Sequence, residues 1–168
     1  GHVGVRVVGL AVADAAAERK RLAAAGFPVQ PLVALRRSVA GPDGEPSELA
    51  FSVARVAPEA MAEGRIQYLT HHTEAAMWRP DQTVHPNGAE TLVDQVIVVP
   101  DIREATARWA RFLGRDGEPV RGGRLFALER GRLVLVGPDR VAAVHAGPAP
   151  TPPFMAGYAV GCPDLGPV

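Results

Sequence analysis

Apolar and polar positions follow the same two-stage pattern twice in this chain, first as an alternation and then at helical spacing. Val5 to Val12 (VRVVGLAV) is rich in β-formers, with Val8, Leu10 and Val12 on one face and Val7, Gly9 and Ala11 on the other. Asp14 then fits an N-cap for a helix over Ala15 to Ala25, with Glu18 early and Lys20 and Arg21 late, as the helix dipole favours. Gly26 closes it at the C′ position, and Leu22 and Phe27 are expected to pack toward a sheet. The same order returns further on: a strand over Val93 to Val99, Asp101 as N-cap, and a helix over Ile102 to Leu113. There Ile102, Ala105, Trp109 and Phe112 recur as a buried stripe. Asp14 and Asp101 stand 87 residues apart, and a third, shorter copy reads at Tyr158 to Leu165 (YAVGCPDL), with Asp164 a further 63 residues on. Repetition of a strand–helix unit points to a fold without naming a reaction.

Between the copies, Val29 to Val39 and Glu48 to Val56 flank Gly41-Pro42-Asp43-Gly44 and predict a β-hairpin. Pro58 to Ala62 reads as a short helical turn, and Arg65 to Thr70 (RIQYLT) as a further strand. After the second helix, Val120 to Glu129 and Arg132 to Val136 predict two strands, Pro138 to Val144 a last helical turn, and Phe154 to Gly161 another strand. Pro148 to Pro153 (PAPTPP) reads as a linker. The expected fold is α+β, made of repeated βαβββ modules whose curled mixed sheets surround a cleft. The first module spans 1–77, an inter-module loop 78–90 and a second module 91–147, leaving 148–168 as linker and the start of a further module.

Composition narrows the partners. The 168 residues carry no formal net charge and are 47% hydrophobic, as expected of a globular protein with a real core. Its basic residues are nearly all Arg, with Lys20 the only lysine, and they are interleaved with acids, so the footprint of a nucleic-acid binder is missing. Aromatic content of 5% leaves few stacking platforms for single strands. No apolar run reaches the roughly 18 residues of a membrane helix, and no start resembles a signal peptide. The single cysteine, Cys162, excludes an intramolecular disulfide and fits a reducing cytoplasm. A first residue other than Met is the mark of a processed, tagged or truncated end, which makes His2 terminal or scar sequence.

Gly64 to Thr73 (GRIQYLTHHT), followed by Trp78 and His85-Pro86-Asn87-Gly88-Ala89, resembles the glyoxalase-like domain branch of the vicinal-oxygen-chelate superfamily, the glyoxalase and bleomycin-resistance fold. The resemblance runs from Val7 to about Tyr158. It implies paired modules curled around a small-molecule cleft, a lyase, isomerase or dioxygenase activity or a non-catalytic sequestering role, and homodimers. It also implies an additional N-terminal module, so the chain reads as a piece of a longer protein. Metal-using members place a His seven residues before the helix-start Asp, and a Glu on the last strand of the module. The matching positions are Val7, Asp94 and Gly157 for the His, and Gln67 and Val134 for the Glu, so the usual ligand set is absent.

The remaining candidates come from residue chemistry. His71 is the candidate general base, with Gln67, Tyr68, Arg37 and Trp78 as ligand-binding groups. On a strand, Gln67, Leu69 and His71 share one face, and His72 goes with Tyr68 and Thr70 to the other. An alternative is a divalent metal (Zn, Fe, Ni or Mn) on His71 and His85, with Asp94 or Glu74 as third ligand; Asp94 and Gln67 would form a weaker oxygen half-site. The plainer reading is that these groups brace the loop, with His85 to Gly88 forming a turn. His145 reads as facing solvent, Trp109 as core and Cys162 as a small core residue. Arg36-Arg37 could place one guanidinium in the cleft for a carboxylate, or form a solvated strand face. No GxSxG elbow, Walker loop or dinucleotide Gly-rich loop is present.

Overall fold

The computed structural model describes residues 5–41 and 43–163. Two strand–helix–strand units fold into two mixed sheets. In the first, β1 (Val7–Ala11), α1 (Ala15–Ala24), β2 (Val33–Ala40), β3 (Pro46–Arg55) and β4 (Arg65–His71) give the order β1-β4-β3-β2. β1 runs parallel to β4, while β4–β3 and β3–β2 are antiparallel. After the short helices α2 (Glu74–Met77) and α3 (Pro80–Thr83), the second unit repeats the topology. Its elements are β5 (Thr91–Val98), α4 (Ile102–Leu113), β6 (Glu118–Val120), β7 (Gly123–Ala127) and β8 (Arg132–Val136). They give the order β6-β7-β8-β5, again with the first and last strands parallel.

Both main helices start as their N-caps dictate. Asp14 accepts hydrogen bonds from the amides of Ala16 and Ala17, and Asp101 from those of Arg103 and Glu104. Gly114, at φ +66°, ends α4 in the left-handed conformation that favours glycine.

Two expectations change. The run Val120 to Glu129 is not one strand: the turn at Arg121-Gly122 splits it into β6 and β7, because Gly122 sits at φ +72°. The helical turn expected over Pro138 to Val144 is present, as a 3₁₀ turn followed by α5 (Val141–Val144). β9 (Phe154–Gly161) pairs antiparallel with β5 as the fifth strand of the second sheet. The later part of the third repeat, from Asp164, lies outside the described residues.

One core serves both units. Leu22, Phe27, Ala54, Ile66 and Tyr68 from the first are buried with Ile97, Trp109, Phe112, Phe126 and Leu135 from the second. Phe112 is its pivot: its ring is stacked on Tyr68 at 5.2 Å and edge-on to Phe27 at 5.5 Å and Trp109 at 5.8 Å. Polar clamps join the units at the margin. The Glu63 carboxylate, fully buried, accepts from both terminal nitrogens of Arg108 (2.9 and 2.8 Å) and from Trp109 Nε1 (3.0 Å). Arg21 donates to the carbonyls of Arg111 and Phe112 and to the Tyr68 hydroxyl. Among the described residues no helix is long and apolar enough to cross a membrane.

Candidate functional site

Each sheet has one face on the shared core, so strand alternation sets the other face. In the first sheet, Val8, Leu10, Ala54, Ile66 and Tyr68 point to the core. The opposite face therefore carries Gln67, Leu69 and His71 from β4, Phe51, Val53 and Arg55 from β3, and Leu35 and Arg37 from β2. The register agrees, with His71 opposite Phe51, Gln67 opposite Arg55 and Leu35 opposite Phe51. Leu49 and Val53 form its floor: both are buried, yet neither belongs to the shared core. Leu35 and Trp78 remain exposed at its rim.

The second sheet has the same face but fills it. Val96, Val98, Val134 and Val136 are packed beneath Val141 and Val144 of α5 and beside Phe154 and Ala156 of β9, forming a second small core. His145 belongs to this closure rather than to solvent. It is half-buried, edge-on to Phe154 at 5.4 Å, with Nδ1 3.3 Å from the Ala156 carbonyl. Among the described residues, only the first unit leaves this face open.

His71 is the centre of that face. Its ring lies edge-on to Phe51 at 5.0 Å and 6.3 Å from the Trp78 ring. Its Nδ1 is buried and has no hydrogen-bond partner, alone in this among the described side-chain nitrogens and oxygens. Gln67 receives a bond from Arg55 Nε at 2.9 Å, which holds both side chains at the other end of β4. Arg37 is exposed on β2, while Arg36 turns the other way and pairs with Glu48 at 2.7 Å.

Tyr68 is not on this face. It lies in the core, its hydroxyl donating to the Phe112 carbonyl at 2.9 Å, and burial pushes its pKa up to about 12 although Arg21 nearby pulls the other way. His72 meets Ser52 Oγ at 2.8 Å, and Thr70 Oγ1 accepts from the Ala15 amide, both on the helix side.

The metal reading fails on the donor set. Among the described residues no three His, Cys, Asp or Glu side chains come together to hold an ion. Asp94 is in the other sheet, held by both Nε and Nη2 of Arg132 at 2.6 and 2.9 Å. His85 is exposed in a turn closed by the Gly88 amide on the His85 carbonyl, and Glu74 is exposed at the start of α2. Gln67, at the position of the family's Glu, offers an amide already taken by Arg55. His71, His85 and Asp94 therefore do not form the ligand set that loop proximity suggested.

Paired βαβββ units, one with an open sheet face, are the arrangement of the vicinal-oxygen-chelate type. A family model for the glyoxalase-like domain matches residues 3–113, and the chain belongs to that family. No curated protein sequence matches it. A hypothetical protein from Staphylococcus aureus shares the fold, with a TM-score of 0.62 at 9% identity over 79% of this chain. The aligned part is 52% of that protein, so the chain spans about half its length. A second hypothetical protein from S. aureus aligns over 82% of this chain and 95% of its own, at 11% identity and a TM-score of 0.39, too low to bear on the fold.

Proposed function

We propose that the open face of the first sheet binds a small organic molecule, with His71 as its proton acceptor. The observation that carries this reading is His71 Nδ1, shielded from water and unbonded beside Phe51 and Trp78. A buried polar atom without a partner costs about 1–3 kcal/mol. As it stands Nδ1 is closed to a ligand as it is to water, so binding requires Phe51 or Trp78 to shift; a ligand N–H or O–H, or an acidic C–H next to a carbonyl, then relieves that cost and meets a base in the same step. The apolar surroundings of Leu35, Phe51, Leu69 and Trp78 supply the contact area expected of such a site. Proton abstraction next to a carbonyl is lyase or isomerase chemistry.

The test is a fragment screen by ligand-observed NMR on the wild type and on His71→Ala and Leu35→Asp variants. Hits that bind the wild type and are lost in both variants support the reading. Hits unaffected by either would refute it. Following each hit over time separates two modes: turnover that vanishes in His71→Ala marks catalysis, and stoichiometric binding without turnover marks sequestration.

A further inference from the structure

We propose that the ligand of this face is a small organic acid, its carboxylate held between Arg55 and Arg65 at the end of β4 opposite His71. This rests on the face being a ligand site, and it adds the chemical class. Arg21, Arg36, Arg79, Arg108 and Arg132 each have a carboxylate within ion-pair distance. Most of the other arginines, Arg55 and Arg65 included, have none among the described residues; what sets these two apart is that both line one recess of about 360 Å³ beside the 58–60 turn, bordered by the core residues Val56, Met61 and Ile66. No Asp or Glu lines that recess; the other polar side chain there is Gln30.

Arg55 is oriented for the task. Its Nε is spent on Gln67 Oε1, which fixes the guanidinium plane and leaves both terminal nitrogens without an acceptor among the described residues. Arg65, two residues before Gln67, shares its face of β4 and has no side-chain hydrogen bond among the described residues. Two unpaired guanidiniums with no acid between them attract an anion, and the planar fork suits a carboxylate.

The spacing sets the ligand's length. Arg55 stands opposite Gln67, four residues from His71, and Arg65 is six residues from it, so a carboxylate between them lies about five residues, or about 16 Å at about 3.3 Å per residue, from His71. Allowing about 3 Å for a hydrogen bond at each end leaves a body of roughly 10 Å across Leu69 and Phe51. An acid with a short apolar chain or one ring fits.

Calorimetric titration of the chain with 4-phenylbutyrate and its neutral amide tests the class, in wild type, Arg55→Gln, Arg65→Gln and His71→Ala. The expected result is acid binding at least tenfold tighter than amide in the wild type, weakening as salt rises. In both arginine variants that preference should collapse to near unity while the circular dichroism spectrum is unchanged. Arg65 is exposed, so its variant reports on binding even if Arg55→Gln perturbs the fold. Equal affinity for acid and amide in the wild type, or a preference that survives both arginine variants, overturns the proposal. If both probes bind equally and both are lost in His71→Ala, the site stands and only the anionic class falls. If neither probe binds while neutral fragments still map to the His71 face, the anionic class falls alone. If the screen also finds nothing on that face, both fall.

Discussion

Replacing Glu63 tests how the two units are held together. Its carboxylate is fully buried and accepts three hydrogen bonds, two of them from Arg108, whose side chain is 15% exposed. Breaking a buried pair from one side costs about 3–5 kcal/mol, because the remaining charge is stranded. Arg108 keeps a second partner in Glu104, at 2.8 Å, which places Glu63→Ala near the lower end, about 3 kcal/mol. For a chain of this length each kcal/mol moves Tm by about 2–4 °C, so a fall of roughly 6–12 °C is expected. Glu63→Gln keeps the shape and one acceptor but removes the charge that balances Arg108 and sets an amide donor against it, and should lose at least about 1–2 kcal/mol. Urea unfolding followed by circular dichroism and, in a Trp78→Phe background, by Trp109 fluorescence gives both values and checks that the transitions coincide. The double variant Glu63→Leu with Arg108→Met should be less destabilised than Glu63→Leu alone, since it leaves no stranded charge. A Tm loss below about 2 °C for Glu63→Ala, or strictly additive effects in the double variant, would refute the clamp.

Other consequences are sharper in sign than in size. Tyr68 has a folded pKa raised from about 10 to about 12, so its contribution is present in full below pH 10 and is lost as pH rises toward 12. The loss should be roughly 2–3 kcal/mol. Ultraviolet titration of Tyr158→Phe, which leaves Tyr68 as the last tyrosine, should show a midpoint near 12 that falls toward 10 on unfolding. Gly64 sits at φ +149°, and a Cβ there would meet the Arg6 carbonyl and Met155 Cε, both at 2.8 Å; Gly64→Ala should cost about 1–3 kcal/mol in urea. Asp94→Asn should leave ligand binding unchanged in the same calorimetric titration, because its partner is Arg132 in the other sheet.

The elements were legible where local chemistry repeats. Asp14 and Asp101 cap their helices through short-range bonds, and the stripe Ile102, Ala105, Trp109 and Phe112 reports a buried face directly. The sharing of a face by Gln67, Leu69 and His71 follows from strand alternation alone, and the same rule puts Tyr68 in the core. What could not be read was set by partners distant in the chain. Glu63 lies 45 residues from Arg108, and nothing near it in sequence marks it as a clamp. Arg55 meets Gln67 only through strand pairing, although the alternation that singles out Gln67 also singles out Arg65 two positions earlier. The closure of the second sheet depends on four residues of α5 folding back, which a run as short as Val141–Val144 does not announce. Asp94 was suspect as a ligand for its position, and only the register that sets it opposite Arg132 disposes of it.

The most direct test of the ligand face is amide chemical-shift mapping, with the tightest fragment hit added to ¹⁵N-labelled protein. Shifts should centre on Leu35, Phe51, Leu69 and His71 and on the Trp78 indole, with those of Val134, Val141 and Val144 unmoved. Shifts confined to the second sheet, or spread evenly over both, would contradict the assignment of the site.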